Sequence, residues 1–202
     1  MKKIFLVLFA TVFLFACNNS NNSNASTEFA EPGFTLTTLP GTNTQYAVKK
    51  KENGDILEEG PVVNGLRQGT WITYHQRVNI PETFTTYAEG KLNGPHYAFN
   101  NRGQIVLRAN FLNEVLDGPR IKYDFGKPSE EAFYVNGQLD GVYKTYHRNR
   151  KLQEESYFKN GKRDGAAKYY NEKEELIMSY EYKNNEIISG GKVDPPQPRE
   201  KK

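Results

Sequence analysis

Two glycines, two basic residues and one aspartate occur together in NGKRDGAAKYY, the segment 160–170. Glycine-rich loops that carry basic side chains are typical of phosphate-binding sites. The same frame occurs 24 residues earlier in NGQLDGVYKTY, where Gln138-Leu139 stands in place of Lys162-Arg163. Basic charge is therefore not part of the recurring frame, and we interpret the segment as a hairpin junction.

The histidines do not predict a metal site. The chain has three, His75, His96 and His147. His75 and His147 each follow an aromatic residue at the same position of the recurring frame, three frames apart. A zinc site needs its ligands clustered around one ion. Side chains three frames apart are too distant to share a metal ion, so we expect these histidines to be surface strand residues.

Adjacent glutamates occur at Glu58-Glu59, Glu130-Glu131, Glu154-Glu155 and Glu174-Glu175. Glycosidase chemistry needs two carboxylates that face each other across a cleft. Neighbouring residues on a strand point to opposite faces, so no pair forms such a dyad by itself. The sequence also lacks the Gly-x-Ser-x-Gly, Walker and His-Glu-x-x-His motifs. It therefore predicts no catalytic residues, no metal and no cofactor, and a hydrolase with scattered carboxylates is the weakest functional alternative.

A locally basic region with interleaved tyrosines lies in the C-terminal half. Its cations are Lys144, Arg148, Arg150, Lys151, Lys159, Lys162, Arg163 and Lys168, and its tyrosines are Tyr143, Tyr146, Tyr157 and Tyr169. Such a surface could bind an anionic lipid, a polyanionic glycan or an acidic protein partner, or be a solvated face without a ligand. Tyrosine stacking also suits nucleic acid, but the leader described next makes a nucleic acid partner an unfavourable interpretation.

The first residues, MKKIFLVLFATVFLFAC, have the features of a signal peptide. Two lysines precede an apolar run that is too short to span a bilayer and that ends at a small residue and Cys17. Leu14-Phe-Ala-Cys17 resembles the lipobox of bacterial lipoproteins, which implies diacylation of Cys17 and cleavage before it. An ordinary signal peptide with an incidental cysteine is the alternative. Cys17 is the only cysteine, so no disulfide within the chain and no cysteine zinc site is expected.

Loss of residues 1–16 would remove Lys2 and Lys3 and lower the formal net charge from +3 to +1. The mature chain is therefore nearly neutral, which does not favour nucleic acid as a partner. Polar, low-complexity residues follow the cysteine in NNSNNSNAST, and we expect a disordered tether there. The residue directly after Cys17 is Asn18 rather than an aspartate. By resemblance to enterobacterial lipoproteins, this favours the outer over the inner membrane of the cell envelope.

The chain contains an internal repeat of about 24 residues. A turn position recurs at Gly65, Gly90, Glu114, Gly137, Gly161 and Asn185, with spacings of 25, 24, 23, 24 and 24. A second glycine follows four residues later, at Gly69, Gly94, Gly118, Gly141 and Gly165. An aromatic residue stands five residues beyond it, at Tyr74, Phe99, Tyr123, Tyr146 and Tyr170. Another precedes the next turn by three residues, at Tyr87, Phe111, Tyr134, Phe158 and Tyr182.

Each repeat predicts a β-hairpin, because its segments are short, rich in aromatic and β-branched residues and interrupted by glycine. A lone hairpin is unstable in water, so the hairpins must pair edge to edge. We therefore predict an all-β fold, an elongated single-layer antiparallel sheet of stacked hairpins. Glycine suits the turns because positive φ is costly for other residues, and we expect the turn at Glu114 to differ from the others.

These observations divide the chain into five parts. Residues 1–16 form the leader, 17–33 the lipidated cysteine and disordered tether, and 34–60 the N-terminal strands that cap the sheet. Residues 61–189 hold the repeats, and 190–202 form a disordered, proline-rich tail.

The frame Asn-Gly-x-x-Asp-Gly followed by an aromatic residue resembles the bacterial variant of the MORN repeat. NGQLDGVYKTYHRNRKLQEESYF and NGKRDGAAKYYNEKEELIMSYEY are the copies nearest to that pattern, and the resemblance covers about residues 60–189. It implies an elongated sheet of hairpins that acts as a binding scaffold or spacer, since eukaryotic relatives are associated with membranes and protein assembly. Some bacterial members carry an antitoxin-like label, although a lipoprotein leader would be unusual for a cytoplasmic toxin neutraliser.

We expect partner contacts at the variable positions two residues after the second glycine, because these lie opposite in parity to the packing aromatics. They are Trp71, His96, Arg120 and Tyr143. The sequence thus predicts a membrane-anchored, non-catalytic repeat protein that binds or scaffolds a protein partner in the cell envelope. The alternative is an antitoxin- or immunity-like protein that neutralises a protein partner.

Overall fold

The computed structural model describes residues 28–194, all of which belong to strands, turns and loops. The strands in chain order are β1 Phe34–Thr38, β2 Gln45–Lys50, β3 Ile56–Val63, β4 Leu66–Arg67, β5 Gly69–Tyr74, β6 Pro81–Ala88, β7 Lys91–Phe99, β8 Ile105–Leu112, β9 Val115–Leu116, β10 Gly118–Asp124, β11 Lys127–Val135, β12 Gln138–Leu139, β13 Gly141–Tyr146, β14 Leu152–Lys159, β15 Lys162–Tyr170, β16 Leu176–Lys183 and β17 Glu186–Lys192.

Each long strand pairs antiparallel with the next one along the chain, which gives a single open meander from β1 to β17. Each of the two-residue strands β4, β9 and β12 follows a two-residue turn and is separated by one residue from the longer strand after it, β5, β10 or β13. The short and the long strand together form the second strand of a hairpin, which we call the return strand. At about 4.8 Å between neighbouring strands, the sheet is roughly 60 Å long. The predicted all-β, elongated single-layer antiparallel sheet of hairpins is confirmed.

Two-residue turns connect the two strands of each hairpin, and all of these turns lie on the same side of the sheet, at the ends of the strands. Both central residues have positive φ, as in Asn136 (50°) and Gly137 (77°), which is the geometry of a type I′ turn. The expectation of a different turn at Glu114 is wrong, because Asn113 (49°) and Glu114 (70°) adopt the same left-handed conformation. The pairing of β8 with β9 around this turn holds Glu114 in a region that its Cβ disfavours.

The second glycine of each repeat lies at a break in the return strand. At Gly165 (φ 112°) the register between β14 and β15 shifts, and an added Cβ would lie 3.2 Å from the Tyr157 Cβ. Positive φ and this close approach together explain why the frame needs glycine here.

Longer loops connect one hairpin to the next at the opposite ends of the strands, with one exception. In the loop after β13, the His147 N–H donates to the Lys151 carbonyl at 2.8 Å. Between β10 and β11 the loop is shortened to a tight turn at Phe125 (φ 46°) and Gly126 (φ 73°). The Phe125 side chain is 74% exposed.

The most tightly packed region lies at the N-terminal end of the sheet, where the side chains of Phe29, Ala47, Val62 and Trp71 form a buried cluster. Phe29 is 8% exposed, so residues 28–33 do not continue the predicted disordered tether as far as β1. The boundary of the predicted tail also moves, because β17 extends to Lys192. Residues 17–27 of the predicted tether, residues 195–202 of the predicted tail and the whole predicted signal peptide lie outside the described residues.

Candidate binding surface

The sheet has two faces, which its cross-strand pairs define. The front face carries Trp71 and its partner Thr85, and the back face carries Tyr74 together with Glu59, to which the Tyr74 hydroxyl donates at 2.7 Å. A side chain belongs to one of these faces according to its register and the alternation along its strand.

A single line of residues, which we call the central row, crosses the whole front face from β1 to β17. Ten of its neighbouring pairs are direct register partners, among them Thr85 with His96 and Arg120 with Ala132. Its members in order are Leu36, Ala47, Gly60, Trp71, Thr85, His96, Ala109, Arg120, Ala132, Tyr143, Ser156, Ala167, Tyr180 and Gly190. All four predicted contact residues therefore lie in one row, at equivalent positions of successive hairpins.

Large and small side chains alternate along the middle of this row. The small members lie on the strands that precede the two-residue turns, and they are Gly60, Thr85, Ala109, Ala132 and Ser156. A Cβ on Gly60 would overlap the indole ring of Trp71, which lies directly on that glycine. Small residues therefore let the large side chains lie flat across the neighbouring strand.

The aromatic residue three positions before each turn supports the large member of the row. Ring centroids are 6.4 Å apart for Trp71 and Tyr87, 6.0 Å for His96 and Phe111, and 5.8 Å for Tyr143 and Phe158. All three contacts are edge-on, the favoured geometry for aromatic pairs. Three hairpins thus present the same packed unit on the front face.

Trp71 differs from the other three predicted contact residues because it is covered. Only 1% of its surface is exposed, and Phe29 and Phe34 lie against its ring with centroids 5.8 and 5.6 Å away. In this structure Trp71 therefore belongs to the core, whereas His96, Arg120 and Tyr143 are half-buried and keep part of their surface open to solvent.

His96 lies over Thr85, with its Nδ1 2.9 Å from the Thr85 hydroxyl. Burial lowers the pKa of His96, because the protonated ring would lose hydration. The neutral imidazole is therefore the favoured form at this position of the row.

Arg120 and Tyr143 lie beside charged groups of the front face. The guanidinium of Arg120 and the ammonium of Lys122 donate to Glu130 at 2.6 and 3.0 Å. Burial alone would raise the pKa of Glu130, but the hydrogen bonds from Lys122 and Arg120 outweigh it and hold the pKa below its usual value. Burial, together with Glu130 and Glu154, raises the pKa of Tyr143. This part of the front face places Tyr143 near the ion pair of Arg120 and Glu130.

Sequence reasoning did not predict that an arginine is stacked on the front face near each end of the row. Arg67 lies 3.9 Å from the centroid of Trp71 and pairs with Glu31 and Glu58. Arg163 occupies the equivalent position four repeats later and donates to Glu154 at 2.8 Å. An arginine two residues after the turn glycine, with a glutamate seven residues before that glycine, is the pattern that could have revealed both.

The predicted packing aromatics on the back face include two tyrosines with carboxylate partners. Tyr146 donates to Glu131 at 3.0 Å, as Tyr74 does to Glu59. Burial first, and the hydrogen bond to the carboxylate second, raises the pKa of Tyr146 to about 12. Phe99 instead packs edge-on against Phe84, with a centroid distance of 5.0 Å.

His75 and His147 connect consecutive repeats. The Nε2 of His75 lies 3.0 Å from the Phe99 carbonyl, and that of His147 lies 2.8 Å from the Tyr170 carbonyl. Both rings are half-buried, so they bridge the loops of neighbouring hairpins rather than stand free on the surface.

Three of the four pairs of adjacent glutamates lie on strands and separate to opposite faces, as alternation predicts, whereas Glu174-Glu175 lies in the loop between β15 and β16. Glu130 pairs with Arg120 on the front face, whereas Glu131 accepts from Tyr146 on the back face. Among residues 28–194, no group of three or more His, Cys, Asp or Glu side chains could hold a metal ion. Over the same range, no helix has the length and apolar character needed to cross a bilayer.

Comparison with protein-family models and with curated proteins found no match to this chain.

Proposed function

We propose that this chain is a membrane-anchored, non-catalytic repeat protein that binds or scaffolds a protein partner in the cell envelope. The predicted lipidation of Cys17 provides the anchor, and the predicted tether holds the sheet away from the membrane. The front face provides the binding surface.

The observation that carries this proposal is the central row. A single-layer sheet has no covering layer on either face, and the row aligns His96, Arg120 and Tyr143 along about 20 Å of the front face. Half-exposed tyrosine and arginine side chains are enriched where proteins bind each other. Their orientation is fixed by packing under the row, so binding would require little further ordering.

The ion pairs beside the row favour a protein partner with polar and charged groups. Glu130 and Glu154 are held by Arg120 and Arg163, which leaves alternating charge next to the rings of Tyr143 and Phe158. Charged groups arranged in this way contribute more to partner choice than to raw affinity. Anionic lipid and glycan remain alternative ligands for the basic side chains at the C-terminal end.

The anchor is tested by metabolic labelling with palmitate. We expect label in the wild-type chain and none in Cys17→Ser, because Cys17 is the only thiol available for acylation. Cell fractionation should place the wild type with the membranes and release the variant. Equal labelling of the two chains would remove the anchor from the proposal.

A further inference from the structure

Exposed apolar side chains are concentrated on the back face, in the middle of the sheet. Six of the large hydrophobic residues with more than a third of their surface exposed lie on neighbouring strands from β8 to β14. They are Leu112, Val115, Phe133, Val135, Val142 and Tyr157, with exposures between 36 and 50%. A contiguous apolar surface of this kind on a soluble domain usually marks an interface.

The centre of this surface is a line of residues that we call the apolar row: Phe133, Val142, Tyr157 and Ala166, on β11, β13, β14 and β15. Val142 and Tyr157 are direct register partners. Phe133 and Val142 line a shallow depression of about 260 Å³ together with Pro119 and Ile121. The row therefore combines raised rings with a hollow beside them.

A second line, the charged row, runs parallel to the apolar row on the same four strands, two residues nearer the longer loops. Glu131 pairs with Lys144, Lys144 with Glu155, and Glu155 with Lys168 in the sheet register. The Lys144 ammonium lies 3.2 Å from the Glu155 carboxylate. The charges thus alternate as minus, plus, minus, plus across β11 to β15.

This alternation is complementary to itself under a two-fold rotation. If the rotation axis runs parallel to the strands and midway between β13 and β14, each row faces its own copy in reverse order. Glu131 then faces Lys168 of the second copy, and Lys144 faces Glu155. The same rotation sets Phe133 over Ala166 and Val142 over Tyr157, so that each larger side chain faces a smaller one.

We propose that the back face of β11 to β15 binds the same face of a second copy of this chain, forming a two-fold symmetric dimer of sheets. Face-to-face packing of two sheets is a standard way to bury their apolar faces, and isologous contacts of this kind are the commonest in homo-oligomers. One and the same rotation matches opposite charges in the charged row and large with small side chains in the apolar row. A partner of different sequence would not explain this agreement between the two rows. The dimer goes beyond the proposed function and leaves the front face of both copies open.

The paired area is modest. Four strands at about 4.8 Å and two rows of side chains about 7 Å apart cover roughly 260 Å² per copy, below the ~800 Å² per partner of a typical stable complex. The dimer is therefore expected to be reversible, and its test should capture it inside cells.

The experiment uses two differently tagged copies of the full chain expressed together, one with the photo-crosslinking residue benzoylphenylalanine in place of Val142. Irradiation of intact cells should give an adduct that carries both tags. In the control, the same residue replaces Leu66, an exposed back-face side chain outside the paired region, and no two-tag adduct is expected.

Charge variants then decide whether the charged row orients the pair. An acidic-row chain carries Lys144→Glu and Lys168→Glu, and a basic-row chain carries Glu131→Lys and Glu155→Lys. Each variant paired with itself should lose the two-tag adduct at least tenfold, whereas the acidic-row and basic-row chains expressed together should recover it. Glu131→Lys also removes the acceptor of the Tyr146 hydroxyl, so a retained cooperative unfolding transition, rather than wild-type stability, shows that each variant is folded.

Three results would overturn the dimer. The first is no two-tag adduct from the wild type, and the second is an adduct to another protein instead. The third is a mixed pair that fails to recover what the self-paired variants lose. None of these results bears on the Cys17 anchor or on binding by the front face, so the proposed function would stand or fall separately.

Discussion

At the residue scale, the repeat frame depends on backbone positions with positive φ more than on side-chain chemistry. Asn and Gly fill most of the two-residue turns because they tolerate the left-handed region at little cost. Glu114 occupies the second turn position at φ 70° without either advantage. The sequence predicts the turns from Asn-Gly pairs, but it does not reveal that neighbouring strands can impose the same turn on glutamate.

Replacement of Glu114 by Gly is therefore expected to stabilise the protein by roughly 0.5 kcal/mol or more, since it removes left-handed strain. The matched control is Gly161→Ala, at a turn position with φ 77° and no atom within 4 Å of the added Cβ. It should destabilise by about 1 kcal/mol through strain alone. Urea unfolding measures both changes, and a destabilising Glu114→Gly would contradict this account of the turn.

The hydrogen bond from Tyr146 to Glu131 predicts a dependence of stability on alkaline pH. The pKa of Tyr146 is raised to about 12 in the folded protein, above the ~10 of an unfolded tyrosine. Its contribution is therefore complete below about pH 10 and is lost as the pH rises towards 12.

Tyr146→Phe should cost about 1 kcal/mol of unfolding free energy near neutral pH, because Glu131 loses its donor. That difference from the wild type should shrink as the pH rises above about 10. Tyr74→Phe, at the equivalent site three repeats earlier, should behave alike, and the two effects should add. A difference that stays constant across the alkaline range would show that the hydroxyl does not titrate as described.

At the element scale, neighbouring strands fit together because small residues of one strand lie under large residues of the next. Gly60 on β3 lies beneath Trp71 on β5, and Ala109 and Ala132 at the equivalent positions of later repeats are buried. The sequence predicts that Trp71, His96, Arg120 and Tyr143 share a repeat position. It does not predict that Trp71 is covered, because its cover comes from Phe29, in a segment whose composition suggests only a tether.

Gly60→Ala is expected to destabilise the protein by about 3 kcal/mol, since its methyl group would overlap the Trp71 ring. Gly191→Ala on β17 is the matched control, because an added Cβ there meets no atom within 4 Å, and it should change stability little. In a Trp71→Ala background the cost of Gly60→Ala should largely disappear. Thermal unfolding of the wild type, Gly60→Ala, Trp71→Ala and the double variant measures the coupling. Additive effects of the two substitutions would argue against the packing of Trp71 on Gly60.

At the scale of the whole molecule, one open sheet presents two wide faces that carry different chemistry. The front face aligns half-exposed rings with paired charges, and the back face combines an apolar row with an alternating charged row. The repeat period predicts the sheet and its hairpins, because short hairpins must pair with one another to be stable. Which residues stay exposed depends on contacts across faces and from outside the repeats, and no period in the sequence encodes those.

The binding role of the front face is tested most directly by replacing Tyr143 with benzoylphenylalanine in the full chain and irradiating intact cells. Tyr97, a half-buried tyrosine of the back face, is the matched control position. The proposed function predicts one discrete protein adduct from position 143, its loss on Arg120→Glu with the fold intact, and no such adduct from position 97. No adduct from position 143, or the same adduct from both positions, would contradict it.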